Sequence, residues 1–358
     1  MSCLSSYIVP DLNVPFVDRT FEFKSLLDLF QREVSWIHVL TGPWGCGKTE
    51  FARAVTHCLS NDSKFIILYT NLTESEIDKA LFPTHRELSK ILNTLIRDVL
   101  HDVLKIPLSL YTVLEYIKQR IELRDKTFIV IIDEITRSLE TYKLSIRDYV
   151  SGLSKKIYEI EREYKCKTHV LLLTSDQTAA EFFDREQGKN LTLYLMWNLD
   201  KDSTFRLLEE LSCSTDFEIV WKLTGGNPRE ICVLKIVYGW NIEKWLESKI
   251  EYCREVFLKA RDLDQASVLK LVVENIDEVP SYSPEMEFLP RYVLINMLYR
   301  LNIIIRVDAR LSKISKLPNE PWIGKRRAFQ QPVYYWILRT ILTKGMDITP
   351  RDVLRNIE

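Results

Sequence analysis

In the stretch TGPWGCGKTE, Thr41 to Glu50, three glycines and a proline lead to one lysine and one threonine. Gly42, Gly47, Lys48 and Thr49 fit the spacing G-x-x-x-x-G-K-[ST], after the apolar run WIHVL and before the helix-like run TEFARAVTHCL. A loop of this kind curls so that successive N–H groups point inward at phosphate oxygens. Lys48 is then placed for the β- and γ-phosphates and the Thr49 hydroxyl for Mg²⁺, while the helix start adds its positive dipole end. The run Gly42, Pro43, Trp44, Gly45, Cys46, Gly47, Lys48, Thr49 and Glu50 is therefore expected to bind ATP or ADP with Mg²⁺. Trp44 and Cys46 are the unusual members. Either both pack against neighbours while the backbone binds, or Cys46, beside a lysine and a helix start, is a redox-sensitive thiol.

Two further groups have the right character. FIVIIDEI ends a buried strand on Asp133 and Glu134, where carboxylates would be costly unless they served a site. Asp133 suits Mg²⁺ through a water, and Glu134 suits the base that polarises an attacking water. HVLLLTSD ends another strand on Thr174 and Ser175; Ser175 either contacts phosphate or lytic water, or simply marks a strand reaching solvent. In TGGNPRE, Gly225 and Gly226 break one helix and Asn227-Pro228 starts the next. Arg229 falls in the new first turn, where a cation is unfavourable without a compensating anion. Pro228 and Arg229 are thus counted with the nucleotide site and Arg229, with Lys48 and Glu134, among its catalytic residues; the alternative is an ordinary exposed arginine.

These residues need a frame. WIHVLTG, FIILYTNL, TFIVIIDEI, THVLLLTSD and LTLYLMWNL read as strands apolar on both faces, separated by helical stretches such as HRELSKILNTLIRDVLHDVLK and YKLSIRDYVSGLSKKIYEIEREY. That pattern predicts an α/β fold with a parallel sheet covered on both sides. From Lys201 the chain reads as helices only, and after about Asp262 as helices, a strand and a basic segment. Three parts are expected: residues 1–200, 201–262 and 263–358. The 358 residues are 46% hydrophobic and 28% charged, the composition of a folded globular protein. The apolar runs are too short to span a bilayer, and no signal peptide is visible, so no membrane partner is expected. Seven cysteines without C-x-x-C pairs argue against a disulfide framework and for a reducing cytoplasm.

With these motifs on the page, PFVDRTFEFKSLLDLF, GPWGCGKTEF, FIVIIDEI, VLLLTSD, EFFDREQGKNLTLYLMWNL and TGGNPREI together resemble the archaeal ATPase family. That family belongs to the STAND-related branch of AAA+-like P-loop proteins and is similar in layout to origin-recognition-type initiators. The likeness covers nearly the whole chain; FVDR-x-x-E and GGNPRE are its more specific parts. It implies an ASCE-type sheet ordered 5-1-4-3-2, a helical lid domain, a C-terminal winged helix, and slow Mg-dependent ATP hydrolysis. It also implies that Asp18 and Arg19 lie near the adenine edge. Arg185 matches the arginine of a Gly-Arg stretch after the sensor strand, but Asp184 replaces the glycine, which departs from an arginine-finger pattern.

The C-terminal segments QASVLKLVVENI, PRYVLINMLYRLNIIIRVD and GKRRAFQQPVYYWILRTIL have a winged-helix layout. Residues 308–358 hold ten Lys/Arg against five Asp/Glu, so this end is locally basic in a chain of net charge −1. Lys325, Arg326 and Arg327 would sit on or beside the wing as phosphate contacts. Arg291, Asn296 and Arg300 are the polar positions of the helix before it, which in such domains enters the DNA major groove. Double-stranded DNA is one expected partner. The other reading is a signalling or assembly switch, with ATP-dependent self-association or a protein partner.

Overall fold

The computed structural model describes residues 3–71, 81–83, 86–95, 106–118, 126–186 and 190–357. A short antiparallel pair, β1 (Ile8–Val9) and β2 (Val14–Pro15), precedes α1 (Thr20–Phe30). β3 (Trp36–Thr41) runs through the glycine-rich loop into α2 (Lys48–Leu59). Then come β4 (Phe65–Asn71), β5 (Leu81–Pro83), α3 (Arg86–Leu95), α4 (Ile106–Lys118) and β6 (Thr127–Asp133). α5 (Ile135–Thr141), α6 (Ile146–Tyr164), β7 (Lys167–Leu173), α7 (Gln177–Arg185) and β8 (Leu191–Leu195) complete the first part. Of the helix expected over residues 85–105, α3 is described; positions 85 and 96–105 lie outside the described residues. Of the stretch after the sensor strand, residues 187–189 also lie outside them.

Among the described residues the main sheet has the order β10-β8-β3-β7-β6-β4-β5. Its inner five, β8-β3-β7-β6-β4, are parallel and reproduce the order 5-1-4-3-2. Side chains alternate between two apolar layers because the strand period is two. Ile37, Val39, Ile66, Val130 and Leu172 meet the cluster that includes α3, α4, α6 and α7. Leu40, Ile67, Ile131 and Leu171 meet α1 and α2 on the other side. Burial on both faces is why these strands read as unbroken apolar runs. The fold is that of a P-loop ATPase core of ASCE, AAA+-like type.

Four helices follow: α8 (Lys201–Glu210), α9 (Phe217–Thr224), α10 (Pro228–Ile236) and α11 (Ile242–Asp262). Asp200, Asp216, Asn227 and Asn241 cap them, each side chain accepting an N–H of the first turn. α12 (Ala266–Glu274), α13 (Pro290–Arg300), β9 (Ile304–Arg306), β10 (Ser312–Lys313), β11 (Arg327–Phe329), α14 (Pro332–Lys344) and α15 (Pro350–Ile357) end the chain. One apolar cluster runs from Leu207 and Trp245 to Leu294, Val333 and Ile357, so packing is continuous across Asp262.

The order helix, helix, strand, long connection, strand is the one expected of a winged helix. The connection, however, does not project as a free wing. Its middle, β10, pairs in parallel with β8 as the edge strand of the ATPase sheet. Ile305, Val307, Leu311 and Ala328 join the core of that sheet. Arg306 is buried and donates to Glu181 and Asp184 on α7 and to Asp308. Asp184, the residue that departs from the family pattern, thus holds the C-terminal module to the core, assisted by Arg310.

A second expectation is corrected at the amino terminus. Cys3 and Cys58 are joined in a disulfide, tying the first turn of chain to the end of α2, whereas the cysteine count and spacing argued against a disulfide framework and for a reducing cytoplasm. No helix among the described residues is long and apolar enough to cross a membrane.

Candidate nucleotide site and its C-terminal cover

The glycine-rich loop lies at the carboxyl end of β3, between β8 and β7, where the strand order reverses. Open α/β sheets leave a crevice at that point. Gly45 and Gly47 have φ values of 81° and 93°, and a Cβ on Gly45 would lie 2.7 Å from Cβ of Arg229. Only glycine lets the loop and the first turn of α10 approach so closely. Gly47 is the N-cap of α2 and provides no side-chain acceptor, so the orphan first-turn N–H groups face the crevice uncapped. Lys48 is buried, and its Nζ donates to the carbonyls of Gly42 and Pro43, each at 3.1 Å. Gly42 and Pro43 therefore brace the lysine from behind rather than line the crevice.

That crevice is a cavity of about 410 Å³ lined by Trp44, Gly45, Cys46, Gly47, Lys48, Thr49, Glu50, Asp133, Glu134, Ser175, Pro228 and Arg229. Its other end is apolar, with Val9, Leu12 and Val14 of the N-terminal hairpin facing Leu199, Leu207 and Ile236. Sequence reasoning missed this end, because single apolar residues far apart in the chain carry no local signal. Burial pushes the Cys232 thiol in the same wall up to about 11, so it lines the cavity as a small apolar group.

Asp133 is buried at the end of β6. Its carboxylate accepts from the Tyr69 hydroxyl at 2.6 Å and from the Glu134 N–H at 3.0 Å. With both oxygens already engaged, it suits a metal through a water better than by direct ligation. Glu134 has φ 54°, an uncommon conformation outside glycine and one that recurs at functional sites. It borders the main cavity and also a second one of about 490 Å³, shared with Ser175, Tyr282, Arg300 and Asn302.

Arg19 and Asp18 part company. Arg19 is 4% exposed, lines the main cavity and donates to the Cys46 carbonyl at 2.8 Å and to Glu22 at 3.0 Å. It supports the loop from beneath. Asp18 lies outside the main cavity and accepts from the Ser203 hydroxyl on α8. Burial opposes its ionisation, yet the Ser203 hydroxyl, the Thr20 N–H and nearby Arg206 and Arg19 hold it below the usual carboxylate range. Glu50 is engaged by Tyr7 and Arg53. Cys46 is fully buried, its Sγ near the Met196 carbonyl and Lys48 Nζ, which closes it to the reagents that the redox reading requires.

Arg229 stacks over Trp44, its guanidinium carbon 4.0 Å from the ring centroid. The next layer was not legible in the sequence. Asn227 donates to the Trp44 carbonyl at 2.9 Å and to Asn198 Oδ1 at 3.0 Å. The Trp44 N–H donates to Gln330 Oε1 at 2.8 Å, from 286 positions further along the chain. No motif announces such contacts.

The proposed DNA residues are divided. Lys325 and Arg326 are exposed, and their backbone N–H groups are held by Asp277. Arg327 is corrected: it is 4% exposed and donates to Ser281, so it cannot reach a phosphate in this arrangement. Asn296 is buried and serves Ser283 and Glu287. Arg300 is exposed, pairs with Glu287 at 2.6 Å and borders the cavity beside Glu134. Arg291 is exposed beside Tyr292. Arg185 forms an exposed pair with Glu285.

Residues 16–234 match the model of a family described as an ATPase domain predominantly from Archaea. Two uncharacterised ATP-binding proteins of Methanocaldococcus jannaschii are similar in sequence. One is 22% identical, with 78% of this chain and 83% of the relative covered; the other is 24% identical, with 68% and 75% covered. Among solved structures, the Aeropyrum pernix ORC2 protein in its ADP form has a TM-score of 0.44 at 14% identity, covering 96% of this chain and 97% of that one. Cdc6p from Pyrobaculum aerophilum has a TM-score of 0.42 at 14% identity, covering 98% and 96%.

Proposed function

This chain belongs to the family of ATPase domains found predominantly in Archaea, and on that premise we propose that it is an ATP-hydrolysing molecular switch of AAA+/STAND type. The observation that carries the reading is the uncapped start of α2 facing a cavity with Lys48 and Arg229 at its polar end and apolar walls at the other. Free N–H donors and two cations suit a triphosphate, and the apolar end suits a base. Thr49 and Asp133 would hold Mg²⁺, the latter through water; when bound, the ion neutralises charge on phosphate oxygens. Glu134 would take the proton of the attacking water, with Ser175 beside it. Stacking on Trp44 is worth about 1 kcal/mol, whereas a charge-assisted bond to phosphate is worth about 1.5–3 kcal/mol. Arg229 would therefore leave the ring for the nucleotide and move the lid as it does so.

Isothermal titration of the intact chain and of Lys48→Ala tests the site. The variant should bind ATP more weakly by roughly 2–3 kcal/mol, the scale of one charge-assisted contact. Equal affinities would remove Lys48 from the site.

The partner proposed for the C-terminal module is duplex DNA, supported by exposed Lys325, Arg326 and Arg291. A protein partner is the second reading, favoured by one observation: the helix that would read bases, α13, keeps Asn296 buried and engages Arg300 with Glu287. A cytoplasmic location, where ATP is abundant, completes the proposal.

A further inference from the structure

Trp44 lies in the middle of the phosphate loop, and its main-chain N–H and C=O, which belong to successive peptide groups, are both held from outside the ATPase core. Its N–H donates to Gln330 Oε1 at 2.8 Å and its carbonyl accepts from Asn227 Nδ2 at 2.9 Å. The contacts close into a ring. Asn227 Nδ2 also donates to Asn198 Oδ1 at 3.0 Å, and Asn198 Nδ2 donates to the main-chain carbonyl of Gln330 at 3.2 Å. The phosphate loop, the segment after β8, the lid and the C-terminal module each supply one member. Gln330 is 1% exposed, and its own N–H donates to the Ile303 carbonyl. Its Nε2 donates to Asn302 Oδ1 at 3.3 Å and to the Ile304 carbonyl at 3.5 Å, so its amide has little freedom to turn.

We propose that Gln330 is a positioning residue of the nucleotide site, through which the C-terminal module sets the curvature of the phosphate loop. A phosphate cradle works only if its N–H groups converge, and each donor must be oriented before the anion arrives. With the peptide groups before and after Trp44 both clamped, the turn through Gly45 to Gly47 is held open toward the cavity. Because Asn302 borders the cavity that Glu134 shares, movement of the module would reach the loop and the catalytic carboxylate together. The role rests on the nucleotide reading of the site and adds a regulation to it: affinity for phosphate depends on whether the module is docked.

Gln330→Met keeps the length and burial of the side chain but cannot accept the Trp44 N–H as an amide does. In titrations, this variant should bind ATP about tenfold more weakly, the effect of one lost hydrogen bond, while adenosine, which lacks phosphates, binds within about twofold of the intact chain. In a sample labelled with ¹⁵N-tryptophan, exchange of the Trp44 amide should quicken while other buried tryptophan amides stay protected. Asn302→Gly is gentler, since it keeps the left-handed backbone (φ 55°) and removes only the acceptor that orients Gln330; about a two- to threefold loss of ATP affinity is expected. Equal weakening of ATP and adenosine would make Gln330 merely structural and overturn the role. Unchanged ATP affinity in Gln330→Met, with Lys48→Ala still impaired, would overturn the role alone. Absence of ATP binding by the intact chain would overturn the site and this role with it.

Discussion

If Glu134 is the base proposed above, one side chain separates binding from chemistry. It follows buried Asp133, holds a left-handed backbone conformation and borders both cavities. Glu134→Gln preserves shape and hydrogen bonding but removes the base. ATP affinity should stay within about twofold, while turnover falls by about 10²-fold or more. Paired titration and phosphate-release measurements check this; unchanged turnover would place the base elsewhere. Phosphate loop and acidic strand end were legible because each is local: a few residues whose types and spacing are dictated by the backbone they must make. Arg327 shows the opposite case. Beside Lys325 and Arg326 it reads as one of three surface cations, yet β11 is buried along its whole length and Arg327 donates to Ser281. Charge type predicts exposure only on average.

At the scale of elements, β3 and β7 carry a buried pair, with His38 Nε2 3.1 Å from His169 Nδ1. Phe30 and Tyr194 surround the pair. Burial first, then the neighbouring imidazole and Arg32, hold His38 well below its ordinary value. Burial, with Lys167 and Arg32 adding to it, lowers His169 to about 4. Both rings are neutral in the fold, whereas in the unfolded chain they gain protons near pH 6.5. Their contribution is complete above that pH and is lost as pH falls toward 4. The expected loss is about 1.4 kcal/mol per pH unit for each histidine. Urea unfolding at pH 7.5, 6 and 5 should show it, with His169→Leu less steep than the intact chain by that amount; parallel profiles would count against it. The strands themselves were visible as apolar runs. That two of their residues would be stacked histidines was not, since a single imidazole in a run does not reveal which strand lies alongside.

At the scale of the whole molecule, the C-terminal module presents two faces. Lys325 and Arg326 project outward, while β10 and the Arg306 cluster bind the module to the core. If the module binds duplex DNA, Lys325→Ala with Arg326→Ala should weaken binding for all sequences alike. The slope of log K against log salt should flatten by about 2 units, at roughly 0.9 per phosphate contact. Arg327 is left intact in this test because it is buried. A salt-dependent titration with ATP and with ADP checks it. No salt-dependent binding in either state would leave the protein-partner reading in place.

Sequence alone determined the phosphate loop, the acidic end of β6, the break and restart at TGGNPRE and the alternation of strands with helices. Each follows from constraints acting over a few residues: glycine for a left-handed turn, an asparagine cap and proline for a helix start, apolar runs for strands buried on both faces. Tertiary structure alone decided that β10 would extend the ATPase sheet, that Asp184 would receive Arg306, and that Gln330 would hold a peptide of the phosphate loop. Those contacts join residues more than a hundred positions apart. A polar side chain does not declare its partner in advance; the partner is set when burial removes water and leaves each donor only the acceptors that packing brings within reach.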